Sequence, residues 1–235
     1  MKKTLLSLTL TLCCISLFAQ LEDDEFHWGF RAGATYSSIQ DVSTTIIPPV
    51  FPENSYTTET APRLGFVGGM YFYYRFRNTR IAIQPEITYS QEGSDFNYTD
   101  IEGLEYKIAF NYQYLNFATL LKLYPAGGLH VAVGPQLGFN FTNTNLDYTS
   151  NMPDLGPDLQ ITQSLREVLK GETNLSVVLG VGYDFPFGLT VEGRYNLGTK
   201  DVVETLANGF NFIENDNKTT VYQVVIGWLI PFEQY

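Results

Sequence analysis

Residues 80–90 alternate between apolar and polar side chains. Ile81, Ile83, Pro85, Ile87 and Tyr89 fall on one face; Arg80, Ala82, Gln84, Glu86, Thr88 and Ser90 fall on the other. Successive side chains of a β-strand point to opposite faces, so this segment reads as a strand between an apolar medium and a polar one. The pattern recurs along the chain. Repeated strands of this kind predict an all-β fold: an eight-stranded antiparallel up-and-down transmembrane β-barrel whose apolar side faces lipid.

The predicted strands cover residues 27–38, 63–76, 80–91, 108–124, 129–142, 174–185, 188–198 and 219–232. In the fourth, Leu115, Phe117, Thr119, Leu121 and Leu123 oppose Asn116, Ala118, Leu120, Lys122 and Tyr124. Its first half carries aromatics in the opposite phase, at Phe110, Tyr112 and Tyr114. That predicts either a bulge or a strand emerging from lipid. Tight turns at 77–79, 125–128 and 186–187 alternate with long loops at 39–62, 92–107, 143–173 and 199–218. Short periplasmic turns and long extracellular loops are the asymmetry of outer-membrane barrels. A soluble lipocalin-like ligand-binding barrel is the rival architecture. It requires charges on the outside, whereas charges here are few within the strands and concentrated in the loops.

Within the loop at 143–173, Ile161, Leu165, Val168 and Leu169 follow helical spacing, with Asp158 before them and Gly171 after. A short helix on the barrel rim is expected. The loops hold most of the acid, including Asp95, Asp100, Glu102, Glu105, Asp147 and Glu172. Calcium bridging is one use of such loops, but none has the ordered ligand spacing of an EF-hand.

The N-terminus reads as a secretory signal peptide over residues 1–19. Lys2 and Lys3 supply its positive region, 5–18 its apolar core and Ala19 the small residue at the cut. The barrel domain then occupies 20–235. Both cysteines, Cys13 and Cys14, fall inside the signal, so the exported chain carries no thiol chemistry. A formal charge of −11 argues against nucleic acid as a partner, because phosphates are neutralised by Lys and Arg.

Several runs then resemble a known family. They are residues 28–37 (WGFRAGATYS), 114–122 (YLNFATLLK), 133–138 (VGPQLG), 179–183 (LGVGY) and 192–198 (EGRYNLG). In order and spacing they resemble the PorT-type outer-membrane β-barrel proteins of Gram-negative bacteria. Members commonly carry an acidic residue and a proline where this chain has Asn116 and Ala118. The resemblance implies an outer-membrane barrel reached through export. One namesake is linked to protein secretion and maturation, but fold similarity alone does not transfer that role.

Eight strands enclose an interior about wide enough for side chains to fill. The inward positions Arg31, Arg80, Gln84, Glu86, Lys122, Gln136, Glu192 and Arg194 are therefore expected to form a lumen network. Arg75 and Asp184 share that face. Glu86 and Arg194 reach similar heights, so they are expected to meet across the lumen together with Glu192. Trp28 and Trp228 should mark the periplasmic aromatic girdle, and Tyr36, Tyr89 and Phe141 the outer one. His27 and His130 fall at the periplasmic end and read as interface or turn residues.

No HExxH, GxSxG, phosphate loop or cysteine metal site appears, so no catalytic residue, cofactor or metal ligand is predicted. The expected partners are outer-membrane lipid and glycolipid, with a protein or glycan at the acidic loops. The expected role is structural, adhesive or assembly-related. A narrow pore, or an accessory part of a secretion system, is the alternative.

Overall fold

The computed structural model describes residues 25–40, 56–142, 145–151, 158–205 and 217–231. The predicted signal at 1–19, both cysteines and the end of the predicted last strand at Phe232 lie outside the described residues. The elements are β1 (Glu25–Ile39), β2 (Tyr56–Arg75), β3 (Ile81–Asp100), β4 (Glu105–Ala126), β5 (Leu129–Asn140), β6 (Leu146–Ser150), α1 (Asp158–Val168), β7 (Leu169–Gly171), β8 (Asn174–Asp184), β9 (Leu189–Gly198), β10 (Val203–Thr205) and β11 (Thr219–Pro231).

Strands pair in the order β3–β2–β1–β11–β9–β8–β5–β4, and β4 returns to β3. Eight antiparallel strands thus form a closed ring, which leaves no open edge in the wall. At one end the connections are tight. Each contains one residue in the left-handed region: Asn78 (φ 55°), Gly127 (φ 54°) and Gly188 (φ 99°). Glycine and asparagine tolerate that conformation, so these positions set the hairpin turns.

Alternation decides which side is wet. Phe30, Leu121, Val133, Phe139, Leu179 and Ile226 point out and are exposed, while Arg31, Gln84, Glu86, Lys122, Glu192 and Arg194 point in and are buried. A soluble barrel would bury the first set. This ring buries the second.

The pairing of β3 with β4 runs without a break from Ile81↔Leu123 to Thr99↔Glu105. The predicted loop at 92–107 is therefore mostly hairpin, and only 101–104 turns. No bulge interrupts this pairing. Phe110, Tyr112 and Tyr114 stay on the inward face, and β4 simply continues beyond the apolar belt. A register shift does occur between β2 and β3, at 62–67.

Above the belt the interior becomes apolar. Ile39, Phe96, Ile108, Phe110, Leu146, Leu169, Val202 and Val203 form one buried core, with Ile161 and Leu165 of α1 packed on it. Its rim is a ladder of rings, Tyr56–Tyr98–Tyr106–Tyr148, with neighbouring centroids 4.5 to 5.6 Å apart. Burial pushes ionisation of the Tyr106 phenol upward, so it stays neutral.

The helix has a second task. Asp158, Thr162 and Arg166 are four residues apart and share one face. Tyr148 N donates to Thr162 Oγ1 at 3.1 Å, Ser150 N to Asp158 Oδ2 at 3.4 Å, and Arg166 Nε to Leu146 O at 2.7 Å. α1 therefore satisfies the free backbone edge of β6, which would otherwise be open to pairing with another chain. Leu169 leaves the predicted helix and pairs with Thr205 instead.

Candidate functional site: the barrel interior

Room for large inward side chains comes from small inward neighbours. Arg31 lies in register between Gly69 and Gly227, and Lys122 between Ala82 and Ala132. A Cβ on Gly180 would come within 2.6 Å of Glu192 Oε1, and one on Gly182 within 2.8 Å of His130 Nε2. Alternate glycines in β8 are what allow the β5 and β9 side chains to meet over it.

In that space three cations meet three carboxylates. Arg194 forks onto Glu86, with Nη1 to Oε2 at 2.8 Å and Nη2 to Oε1 at 2.7 Å. Its Nε donates to Glu192 Oε1 at 2.7 Å. Arg31 Nη1 stands 2.9 Å from Glu86 Oε1, and its guanidinium lies 4.4 Å from the Tyr71 ring centre. Lys122 Nζ donates to Asp184 Oδ2 at 3.2 Å and lies 3.7 Å from Glu192 Oε2. Tyr124 OH donates to Asp184 Oδ2 at 2.6 Å. Gln84 Nε2 donates to Glu86 Oε1. Buried charges are tolerated when paired and hydrogen-bonded, and here they balance one for one.

Six of the eight predicted lumen residues, Arg31, Gln84, Glu86, Lys122, Glu192 and Arg194, join this cluster. Gln136 is buried on the same inward face, nearer the long-loop end. Arg80 is the exception. β3 begins at Ile81, so Arg80 belongs to the turn, stays exposed and donates from Nη1 to Pro125 O at 3.1 Å. His130 also departs from expectation. It is fully buried, with Nε2 3.2 Å from Glu192 Oε2 and Nδ1 3.5 Å from Asp184 Oδ2. Its inward parity in β5 was the available signal. Half-buried Arg75 lies 5.0 Å from the Tyr124 ring centre, at the short-turn mouth.

A second polar layer lies toward the long loops. Asn116 Nδ2 donates to Ser90 Oγ at 2.8 Å, and Ser90 Oγ donates to Glu92 Oε1 at 2.7 Å. Asn174 Nδ2 donates to Thr219 Oγ1 at 2.8 Å and lies 3.5 Å from Glu92 Oε2. Glu92 was read as the first residue of a loop and Asn174 and Thr219 as the first residues of strands, and none carried a recognisable motif.

The outward aromatics group at the two ends of the belt. Trp28 contacts Phe30 and Trp228 contacts Phe187 near the tight turns. At the other end Tyr89 lies between Phe66 and Phe141, at 5.1 and 5.8 Å, and Tyr36 pairs in register with Tyr222. Among the described residues no group of three or more His, Cys, Asp or Glu side chains is placed to hold a metal ion. No helix among the described residues is long and apolar enough to cross a membrane; this does not bear on strands.

The family comparison agrees with this architecture. The family model described as "Outer membrane protein beta-barrel domain" matches residues 18–204. Similar solved structures include Ail, the attachment invasion locus protein of Yersinia pestis. It is 10% identical, with 88% of this chain and 99% of that one covered and a TM-score of 0.39. OprG of Pseudomonas aeruginosa is 14% identical, with 89% and 98% covered and a TM-score of 0.42. Neisserial surface protein A is 11% identical, with 87% and 97% covered and a TM-score of 0.38. No curated protein matches. A closed ring of eight strands that buries its charges and exposes its apolar residues, with a family match over most of its length, belongs to the outer-membrane β-barrel domain family.

Proposed function

We propose that this outer-membrane barrel is a non-conducting scaffold whose working surface is its extracellular cap, where a protein or glycan partner binds. One observation carries the reading: the interior is filled at two levels. The ion-paired cluster around Glu86, Glu192 and Arg194 occupies the membrane-level lumen, and the apolar core around Phe96 and Phe110 lies above it. The outer face of the β2–β3–β4–β6 extension presents Thr57, Glu59, Glu105 and Thr149 to solvent instead. Residues 1–19 act as the export signal in this reading, and no catalytic role is assigned. Within the family we place the chain with the PorT-type barrels, on the residue runs quoted above.

Two experiments test this. In planar bilayers the purified barrel is expected to give no steady conductance; sustained open channels contradict a filled lumen. In intact cells, photo-cross-linkers at Thr57, Glu105 and Thr149 are expected to capture a discrete partner, while ones at Leu179 and Val181 capture only lipid. Identical products from both sets contradict a cap-directed role.

A further inference from the structure

The outer wall of the barrel changes character abruptly at the top of the lipid belt. Phe66, Tyr89 and Phe141 meet there in a chain of outward rings, and Leu64 and Leu115 are exposed on the same side. Such rings settle at the headgroup level of a bilayer. The pair Tyr89↔Leu115 is followed, two residues higher on the same face, by Gln91↔Gln113, and then by Asn111 opposite Gly93. Each of these three amides carries two N–H donors. Gln91 Nε2 reaches Tyr89 OH at 3.2 Å and Asn111 Nδ2 reaches Asp147 Oδ2 at 3.1 Å, which uses one donor of each.

The wall is also dented at this height. Between Pro62↔Ser94 and Val67↔Ser90 the register of β2 against β3 shifts. A cavity of about 220 Å³ opens there, lined by Arg63, Leu64, Gln91, Asn111 and Gln113, among others. Glu92 also borders it but turns its carboxylate inward, to Ser90 and Asn174.

The dent carries positive charge. Arg63 Nη1 donates to Asp95 Oδ1 at 2.6 Å, and Lys107 Nζ lies 2.5 Å from Asp95 Oδ2. Two cations thus share one carboxylate, which leaves a local excess of positive charge on a chain of formal charge −11. Both cations are partly exposed, at 32% for Arg63 and 45% for Lys107. A guanidinium has five N–H groups, so Arg63 can hold Asp95 and still present donors to a ligand. The nearby acid Asp147 is itself held by Arg166 at 2.9 Å.

We infer that Arg63, Gln91, Asn111 and Gln113, with Lys107 beside them, hold the phosphorylated sugar headgroup of an outer-leaflet glycolipid, whose acyl chains run down over Phe66 and Leu115. Arg63 takes the phosphate, because its planar fork matches two phosphate oxygens. The amides take the sugar hydroxyls. A phospholipid supplies the phosphate but no ring of hydroxyls for three amides, which favours the glycolipid. This site lies on the barrel wall below the cap surface proposed above and stands independently of it.

The test is native mass spectrometry of the folded barrel released from detergent, with diphosphorylated lipid A as the probe. The wild type should retain it in a saturable way. Dephosphorylated lipid A and phosphatidylglycerol should each bind at least about ten-fold more weakly. Inorganic phosphate at the same concentration should not displace the probe. R63Q should weaken retention at least about ten-fold and Q113A about three-fold, as expected for one charge-assisted and one neutral hydrogen bond. K200Q removes an exposed cation just beyond β9 and should leave retention unchanged. Folding of each variant is checked by heat-modifiable migration on gels. A wild-type barrel that retains no lipid A overturns the proposal outright. So does equal binding of phosphatidylglycerol or of the dephosphorylated form, displacement by inorganic phosphate, undiminished retention in folded R63Q, or an equal loss in K200Q.

Discussion

β4 runs through two media, and its inward face changes character between them. Toward the tight turns, inward Asn116 and Lys122 are buried with polar partners, and outward Leu115, Phe117, Leu121 and Leu123 are exposed. Toward the hairpin tip, inward Ile108 and Phe110 are buried in an apolar core, and outward Glu105, Lys107 and Asn111 meet solvent or charged neighbours. The register with β3 never changes. The strand is the same object throughout; what differs is the medium outside. Lipid exerts no hydrophobic pressure inward, so the interior there is held by charge pairing. Water does, so the cap has an ordinary core.

That contrast can be broken at its strongest points. Glu86→Ala should cost the barrel about 3–5 kcal/mol in urea unfolding from vesicles, because it strips the fork from buried Arg194 and the carboxylate from buried Arg31. A loss below about 1 kcal/mol would mean that the cluster is solvated rather than paired. Phe110→Ala should cost a similar amount, about 3–5 kcal/mol, but only in the cap. Proteolysis of the α1 region should speed up while the barrel keeps its heat-modifiable migration. Loss of both together would show that cap and barrel fold as one unit. Leu179→Arg places a charge near mid-belt on the lipid face and should cost about 2–4 kcal/mol. Thr149→Arg on the cap should be close to neutral by the same assay. At the small end, Arg63→Gln should change stability by no more than about 1 kcal/mol, since its pair with Asp95 is partly exposed.

The belt was legible because lipid enforces alternation. Residues 80–90 announce a strand with few breaks, and Glu86 and Arg194 could be matched by counting up from the tight turns. Above lipid that constraint disappears. In residues 92–107 both faces carry polar groups, such as Ser94 and Asn97, and the run reads as loop although the pairing continues to Thr99↔Glu105. Arg80 failed for a different reason. Parity assigns a face only while a strand lasts, and β3 starts one residue later. Periodicity found α1 through Ile161 and Leu165, but it could not foresee that Asp158, Thr162 and Arg166 would cover the edge of β6. That role depends on a partner strand distant from them in the fold. The polar layer around Glu92 was invisible because its members arrive from β3, β4, β8 and β11, with no spacing that links them.

One continuous strand, β4, passes from lipid to water without changing phase. Nitroxide labels placed singly along β4 test it most directly, read by their accessibility to oxygen and to a water-soluble nickel complex. Labels at 115, 117, 121 and 123 should favour oxygen, those at 107, 111 and 113 should favour nickel, and even-numbered positions from 108 to 124 should be shielded from both. Nickel access at 117 and 121, or a reversal of odd and even positions along the strand, would contradict the account.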